Sequence, residues 1–387
     1  MTLPEQPLRI LHVFRAPLGG LFRNVLDLTR GQIERGHDVG IFCDANTGGA
    51  RADDVLAELR PMLALGVMRV PMSRYPSLTD LKAQLAFARH RKAMHPDVVH
   101  THGSKGGLYG RLPARLGASR RYVTAYTPHG GSFNYKPGSL EHRIYMGVEA
   151  FLEPATDMFT FESEFIKGRF KAAIGRAPST DHRVVLNGVG VDEFIPIDHN
   201  AASFDFVYLG ELRSAKGIDT LIEALQLMKQ QDRLAPSMLM VGSGPEEPQL
   251  RLMAEQCGVA GQITWSAPGP IRQALARGRI MVVPSRAESL PYVILEAAAA
   301  AQPLVSTNVG GIPEIYGPDH LNRLIGANDP VALKRAMMLA LSKPTEELKR
   351  EAMNLAEFVK RHFTLDQMIS GAIAGYRAAL DTRRLAH

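Results

Sequence analysis

The chain has 387 residues, 45% of them hydrophobic and 22% charged, and a formal net charge of +6, which is typical of a globular protein with two domains. Its two cysteines, Cys43 and Cys257, stand far apart without partner spacing, which excludes a disulfide framework and fits a reducing compartment. The amino terminus lacks the pattern of a signal peptide, and no apolar run is long enough to span a bilayer, so we expect a cytoplasmic protein or one bound to the membrane surface.

The first part of the chain alternates predicted strands and helices. Residues 8–14 predict a strand, residues 21–33 a helix and residues 39–43 a second strand, which together form a βαβ unit. Gly19 and Gly20 lie in the turn between the first strand and the helix. This turn lacks the GxGxxG dinucleotide fingerprint, so a tight turn explains both glycines at least as well as a ligand contact does.

Two later strands of the same predicted sheet carry or precede histidines. His100 and His102 fall on one face of the strand 97–102, and such a pair can bind a metal, but no cysteine or carboxylate stands near enough in sequence to complete a site. We therefore predict no metal. His129 follows the strand 122–127, among glycines that let a ligand approach the backbone, and is the better functional candidate. The alternative is that His129 caps a buried turn.

The positive charge is concentrated in one segment. Between Lys105 and Arg143, seven basic residues stand against Glu141 alone, and apolar residues are interleaved with them: Leu108, Tyr109, Leu112, Leu116 and Phe133. Such a segment suits an anionic membrane surface, a phosphate-bearing substrate or nucleic acid. Nucleic acid is disfavoured because no zinc-finger, basic-zipper or RNP pattern accompanies the segment. The alternative is that these are solvated arginines around a packed helix.

A polar linker at residues 196–202 precedes a second series of strands and helices. We expect a first domain over residues 1–195 and a second over residues 203–365. The first predicted strand of the second domain is followed by Arg213 and Lys216, in a glycine-bounded loop before a helix. Cations beside the free N–H groups of a helix start form an anion site, for which phosphate is the natural ligand.

A later βαβ unit carries two glutamates. Its strand, 280–283, ends at Pro284, and a helix follows from Tyr292. Glu288 therefore lies in the loop at the carboxyl end of the strand, and Glu296 lies inside the helix. Because ligands of open parallel sheets bind at the carboxyl ends of the strands, this stretch predicts a binding site.

Four motifs occur in the order and spacing of one enzyme family. They are Gly210-Glu211-Leu212-Arg213-x-x-Lys216-Gly217, Gly242-x-Gly244-Pro245, Pro284-Ser285-x-x-Glu288 followed by Glu296, and Gly310-Gly311-x-x-Glu314. With them the chain resembles the retaining glycosyltransferases of glycosyltransferase family 4, and the likeness covers nearly all of the sequence. The resemblance implies an α/β protein of the GT-B fold, with two Rossmann-like domains that face each other across a cleft and a carboxyl-terminal helix, at about residues 366–387, that completes the first domain.

The resemblance also implies roles for single residues. Arg213 and Lys216 would hold the diphosphate of a nucleotide-sugar donor, Glu288 would contact hydroxyls of the transferred sugar, and Glu296 would bind the ribose. His129 would reach the donor sugar from the first domain, so that His129, Arg213, Lys216 and Glu288 are the predicted catalytic residues. The other predicted donor-binding residues are Gly19, Gly20, Gly242, Gly244, Ser289, Leu290 and Tyr292.

The implied reaction uses neither a metal nor a cofactor. Negative charge that develops on the departing diphosphate would be stabilised by Arg213, Lys216 and the start of the helix that begins at Tyr292. The chain also lacks the Asp-x-Asp metal anchor of the other glycosyltransferase fold. We take a front-face mechanism as the hypothesis and a covalent intermediate on Glu288 as its alternative. One departure from the family is Glu211, which stands where arginine is frequent and must be either salt-bridged or turned away from the diphosphate.

The expected acceptor is a glycan or a polyprenyl-diphosphate-linked glycan used in bacterial cell-surface polysaccharide synthesis, because the basic segment suits the inner surface of a membrane. Two alternatives remain for the function. One is a nucleotide-sugar epimerase of the same fold, although the spacing of the two glutamates and the presence of Lys216 speak against it. The other is a nucleotide-sugar-binding protein without catalysis.

Overall fold

The computed structural model describes residues 6–74, 77–117, 121–136, 138–174, 181–198 and 202–385. The chain forms two compact units, one made of Met1–Asn187 and Leu365–His387 and the other of Gly188–Thr364. Each unit is a parallel sheet with helices packed against it, as expected for Rossmann-like domains.

The first unit contains a seven-stranded sheet in the order β3-β2-β1-β4-β5-β6-β7. Its strands are β1 Arg9–Phe14, β2 Asp38–Asp44, β3 Val67–Val70, β4 Val98–His102, β5 Val123–Thr127, β6 Met158–Phe161 and β7 Asp181–Val184. Its helices are α1 Gly19–Glu34, α2 Gly49–Leu59, α3 Thr79–Met94, α4 Gly103–Arg115, α5 Leu140–Leu152, α6 Glu164–Ile174 and, at the end of the chain, α14 Leu365–Leu385. The central strands are buried almost throughout, which explains why they are near-continuous apolar runs rather than alternating ones.

The carboxyl-terminal helix α14 belongs to the first unit, although it follows the second unit in sequence. Its apolar side chains, among them Met368, Ile369 and Tyr376, pack against Leu8 and Val123 of the first unit. The helix therefore covers one face of the first sheet.

The second unit contains a five-stranded sheet in the order β10-β9-β8-β11-β12. Its strands are β8 Phe204–Leu209, β9 Met238–Val241, β10 Ile263–Ser266, β11 Gly278–Val283 and β12 Leu304–Ser306. Its helices are α7 Ile218–Gln231, α8 Glu247–Gln256, α9 Ile271–Leu275, α10 Tyr292–Ala299, α11 Ile312–Tyr316, α12 Pro330–Ser342 and α13 Thr345–His362.

The boundary between the units lies earlier than the linker that the sequence suggested. The sequence predicted a first domain over 1–195, whereas the contacts place residues 188–195 with the second unit. Two hydrogen bonds hold this segment to the second unit: the N–H of Val189 donates to the carbonyl of Phe363 at 2.9 Å, and the guanidinium of Arg272 donates to the carbonyl of Ile195 at 2.6 Å.

Each sheet reverses its strand order at one place, between β1 and β4 in the first unit and between β8 and β11 in the second. At such a switch point the two loops that leave the strands diverge to opposite faces, which opens a crevice at the carboxyl ends. The loops after β8 and β11 are those that carry the predicted cations and the first predicted glutamate. Among the described residues, none of the helices combines the length and the apolarity that a bilayer crossing requires.

Candidate functional site

Lys216 and Glu288 meet at the switch point of the second sheet. The Nζ atom of Lys216 lies 2.6 Å from Oε1 of Glu288, and the hydroxyl of Ser285 donates to the same oxygen at 2.7 Å. The side chains of Lys216 and Glu288 are only 17% and 9% exposed, so this ion pair is largely shielded from water. The sequence placed both residues at the site, but it assigned no role to Ser285.

Two glycines allow the loops around this pair to approach closely. Gly217 has φ +67°, and a Cβ atom there would lie 2.1 Å from the carbonyl oxygen of Pro284. Gly310 has φ +61°, and its Cβ would lie 1.8 Å from the carbonyl oxygen of Glu288. Any side chain at either position would displace the backbone that carries Glu288.

Arg286 ties the loop after β11 to the cationic loop after β8. Its guanidinium donates to the carbonyl of Ser214 at 2.7 Å and to the carboxylate of Asp219 at 2.6 Å, and its backbone N–H donates to the carbonyl of Ala215 at 2.9 Å. These bonds fix the position of the cationic loop next to Glu288. This role of Arg286 could not be predicted from the sequence, because these partners lie about seventy positions earlier in the chain and no local pattern marks them.

Glu211 is salt-bridged rather than turned away. Its Oε2 atom accepts from Nε of Arg213 at 2.9 Å, and about half of each side chain is exposed to solvent. An exposed ion pair of this kind contributes little stability. An anionic ligand with two or more phosphate oxygens could therefore draw the guanidinium away from Glu211 at small cost.

Gly242 and Gly244 lie where two loops at the carboxyl edge touch. A Cβ atom on Gly242 would lie 1.9 Å from the carbonyl oxygen of Gly210, and one on Gly244 would lie 2.2 Å from that of Leu212. Both glycines are thus explained by packing against the cationic loop. Their contact with a donor remains a prediction.

The predicted donor-binding residues after Glu288 surround the start of α10. Leu290 and Tyr292 are buried, Ser289 is partly buried, and its carbonyl accepts from the N–H of Gly311 at 2.7 Å. Glu296 is partly buried and lies one turn after Tyr292 on the same side of the helix. The partial positive charge of the helix start is therefore directed at the same edge of the sheet as Lys216.

The remaining predicted residues lie at the carboxyl edge of the first sheet. Gly19 and Gly20 begin α1 and are exposed. Gly19 has φ +61°, which favours glycine, and the space that a Cβ atom would enter is open. Both a tight turn and room for a ligand are therefore present. His129 follows β5 with φ +54° and is partly exposed.

His129 ends a hydrogen-bonded series of imidazoles that the sequence did not reveal. Its Nε2 atom lies 3.0 Å from Nδ1 of His102, whose Nε2 lies 2.9 Å from Nδ1 of His12. Nε2 of His12 lies 2.9 Å from Oε1 of Gln32. Burial lowers the pKa of His129 to about 3 and that of His12 to about 4, and it lowers the pKa of His102 well below its ordinary value. These imidazoles are therefore neutral near pH 7.

His12, His100 and His102 lie close enough to form a metal site by distance alone, with one nitrogen of each within 4.8 Å of the others. The two neighbouring strands bring them together, because His12 of β1 is in register with His100 of β4. Each of their nitrogens already has a hydrogen-bond partner, since His100 is bonded to Tyr376 and Thr127 at 2.7 and 2.8 Å. These partners account for the cluster without an ion.

Two sequence profiles match the chain, one for each half. The family described as Glycosyltransferase Family 4 matches residues 18–193, and the family described as Glycosyl transferases group 1 matches residues 193–357.

Several curated proteins align with the chain. The GDP-mannose-dependent alpha-(1-6)-phosphatidylinositol monomannoside mannosyltransferase of Mycobacterium tuberculosis is 29% identical over 62% of this chain and 66% of that protein. The D-inositol 3-phosphate glycosyltransferase of Xylanimonas cellulosilytica is 26% identical over 94% of this chain and 93% of that protein. TuaC of Bacillus subtilis, provisionally named a teichuronic acid biosynthesis glycosyltransferase, is 25% identical over 64% of this chain and 62% of that protein.

Solved structures share the fold at lower identity. Sucrose-phosphate synthase from Thermosynechococcus elongatus aligns with a TM-score of 0.79 at 18% identity, over 97% of this chain and 100% of that chain. Anabaena HepE in complex with UDP and glucose aligns with a TM-score of 0.78 at 17% identity, over 96% of this chain and 100% of that chain. Together with the two profiles and the aligned relatives, these structures identify the chain as a glycosyltransferase of the GT-B fold that belongs to glycosyltransferase family 4.

Proposed function

We propose that the protein transfers a sugar with retention of configuration from a nucleotide-sugar donor to a glycan or lipid-linked glycan, as a step in the synthesis of a bacterial cell-surface polysaccharide. The observation that carries the proposal is the contact of Lys216 with Glu288 and Ser285 at the switch point of the second sheet. It joins a cation suited to phosphate and a carboxylate suited to hydroxyl groups at the edge where ligands of such sheets bind.

Lys216 and Glu288 keep hydrogen-bonding groups that a nucleotide sugar could use. An ammonium group has three donors, and Glu288 takes one of those of Lys216, so two remain for phosphate oxygens. Oε1 of Glu288 accepts from both Lys216 and Ser285, whereas within the described residues Oε2 has no partner. In our proposal Oε2 of Glu288 accepts hydrogen bonds from hydroxyl groups of the sugar. Lys216, Arg213 and the start of α10 stabilise the negative charge on the departing diphosphate.

The remaining predicted residues bind other parts of the donor, and the departing phosphate takes part in the reaction itself. Glu296 would accept hydrogen bonds from the ribose hydroxyls, and His129 would contact the donor sugar. The departing phosphate would accept the proton of the attacking hydroxyl, so that neither a metal nor a cofactor is needed. The predicted front-face reaction therefore relies mainly on fixed positive groups rather than on a nucleophile.

Helix α5 supports an acceptor held at a membrane. Four of its apolar residues point to solvent at helical spacing and are between 39% and 70% exposed: Leu140, Ile144, Val148 and Phe151. Leu116, which follows α4, is also exposed. We call these five residues the α5 surface. An exposed apolar stripe on an otherwise globular domain is characteristic of an interaction site.

The basic segment is only partly available to join this surface. Lys105 pairs with Asp80 at 2.7 Å, and Arg111 is fully buried against Glu149, so neither is free to attract a membrane. Basic residues that remain exposed in this segment are Arg115, Arg121, Lys136 and Arg143.

These exposed cations match an anionic phospholipid surface in charge, and the apolar stripe matches its acyl boundary, so we propose that the α5 surface binds the membrane. The names of two relatives agree with a lipid-associated or cell-surface acceptor, because one acts on a phosphatidylinositol mannoside and the other is assigned to teichuronic acid synthesis.

Replacing Ile144 and Val148 together by serine is expected to abolish co-flotation with phosphatidylglycerol vesicles, because the apolar stripe is lost while the charges remain. The matched control replaces Leu252 and Leu339, two exposed leucines of the second unit, by serine. The control should float like the wild type, and vesicles of phosphatidylcholine alone should bind less protein. Equal flotation of the Ile144 and Val148 variant and the wild type would remove the membrane from the proposal.

A donor screen tests the function itself. Because a ligand of the native state raises the melting temperature, a thermal-shift screen of UDP-, GDP- and ADP-sugars should single out one donor class. The protein is then incubated with that donor and a panel of alkyl glycosides in excess EDTA. We expect a glycoside product whose anomeric proton coupling shows the configuration of the donor. Formation of an epimerised nucleotide sugar without an acceptor would contradict transfer. A product of inverted configuration would contradict retention, and loss of transfer in EDTA would contradict a metal-independent reaction.

A further inference from the structure

Four side chains of the first unit form a hydrogen-bonded series in which every donor points towards the same end. The series consists of Gln32, His12, His102 and His129, and we call it the histidine chain. Gln32, His12 and His102 are fully buried or nearly so. All of its links are between 2.9 and 3.0 Å. Such distances require one donor and one acceptor at every link.

The amide oxygen of Gln32 determines this direction. Oε1 can only accept, so Nε2 of His12 must carry the proton. A neutral His12 then has a lone pair on Nδ1, which accepts from Nε2–H of His102. His102 in turn accepts on Nδ1 from Nε2–H of His129. The proton of His129 is therefore on Nε2, and its Nδ1 carries a lone pair.

Burial keeps this assignment unambiguous near neutral pH. It lowers the pKa of His12 and His129 to about 4 and about 3, so neither imidazole carries the second proton that would make both nitrogens donors. Gln32 is held by Tyr376 of α14, whose hydroxyl accepts from Nε2 of Gln32 at 3.3 Å and lies 2.7 Å from Nδ1 of His100. If the amide were reversed, every proton in the histidine chain would move to the other nitrogen.

The outer nitrogen of His129 is available to a ligand. His129 is partly exposed, and among the described residues Nδ1 has no hydrogen-bond partner. We propose that Gln32, His12 and His102 are positioning residues that hold His129 in the Nε2–H tautomer, so that its Nδ1 accepts a hydrogen bond from a hydroxyl of the bound sugar. The identity of the ligand as a sugar rests on the proposed function, whereas the tautomer does not.

Nitrogen NMR of histidine-labelled protein tests the tautomer directly. We expect His129, assigned by the loss of its signals in His129→Gln, to show a pyridine-type Nδ1 and a pyrrole-type Nε2. Gln32→Leu removes the terminal acceptor, so the signals of His129 should shift towards a mixture of tautomers. Thr127→Val changes a buried neighbour of His100 outside the histidine chain and should leave them unchanged. A pyrrole-type Nδ1 in the wild type, or the same single tautomer in Gln32→Leu, would overturn the proposal.

Conservative replacement separates positioning from simple packing. His102→Gln retains a carbonyl oxygen that can accept from His129 and should preserve the Nε2–H tautomer, whereas His102→Leu should not. If both variants fold and give the same His129 spectrum, His102 has only a packing role and the proposal fails.

Kinetics with the donor found in the screen tests the sugar contact. We expect kcat/KM to fall by about threefold to tenfold in Gln32→Leu, the effect of one lost hydrogen bond, and to be unchanged in Thr127→Val. One monodeoxy donor should abolish the difference between Gln32→Leu and wild type, because it lacks the hydroxyl that His129 would bind. A difference that persists with every monodeoxy donor would overturn the contact. Absence of transfer in the wild type would contradict the proposed function, while the NMR result would still decide the tautomer.

Discussion

Replacing Lys216 by methionine is expected to lower the kcat of glycosyl transfer by about 10²–10³-fold, with a smaller effect on KM. In the proposed reaction the ammonium group faces the oxygens on which negative charge grows as the sugar departs, and removal of one fixed donor from such a position typically has an effect of this size. Initial rates at saturating donor measure kcat, and the donor dependence measures KM. A larger change in KM than in kcat would mean that Lys216 binds the donor uniformly and does not act on the transition state.

Two further variants make this result interpretable. Lys229→Met removes an exposed lysine of the same unit, whose ammonium group donates to the carbonyl of Gly258, and should leave the rate unchanged. Lys216→Met also leaves the carboxylate of Glu288 without its cation, so the melting temperature is measured for every variant. Lys216→Met with Glu288→Gln removes both charges. If this double variant transferred sugar at the wild-type rate, the pair would have no part in catalysis.

The sequence placed Lys216 and Glu288 at one donor site, because each follows a predicted strand of the second domain, but it did not predict that their side chains form an ion pair. Lys216 and Glu288 are separated by 72 positions. The order of the strands, with β8 beside β11, brings these positions together, and the family resemblance supplied that order indirectly. The local patterns alone placed each residue in a loop. They could not show that Ser285 shares an oxygen of Glu288 or that Arg286 fastens the cationic loop.

The histidine chain shows why other parts of the site could not be predicted. His12 and His102 belong to strands that are far apart in sequence, and Gln32 meets Tyr376 across 344 positions. Each residue satisfies a helix or strand pattern locally, so its polar group has no visible partner until the sheet order and the packing of α14 are known. The burial of Arg111 could not be predicted for the same reason, since the composition cannot distinguish a solvated arginine from one paired in the core.

Replacing Arg111 by methionine is expected to lower the free energy of unfolding by about 3–5 kcal/mol, because it leaves the carboxylate of Glu149 buried without its cation. Arg111 is fully buried, lies 2.8 Å from Glu149, and stacks 3.6 Å from the ring centre of Tyr126. Burial beside Glu149 raises the pKa of Tyr126 well above its ordinary value, so its hydroxyl donates to Glu149 at 2.7 Å. Urea unfolding measures the loss, and Arg51→Met on the exposed side of α2 should change stability by less than about 0.5 kcal/mol.

Removing the whole polar cluster should restore most of the lost stability. Arg111→Met combined with Glu149→Leu and Tyr126→Phe removes both charges of this pair and the hydroxyl bonded to it, so its free energy of unfolding should return to within about 2 kcal/mol of the wild type. A triple variant as unstable as Arg111→Met alone would show that the loss comes from packing.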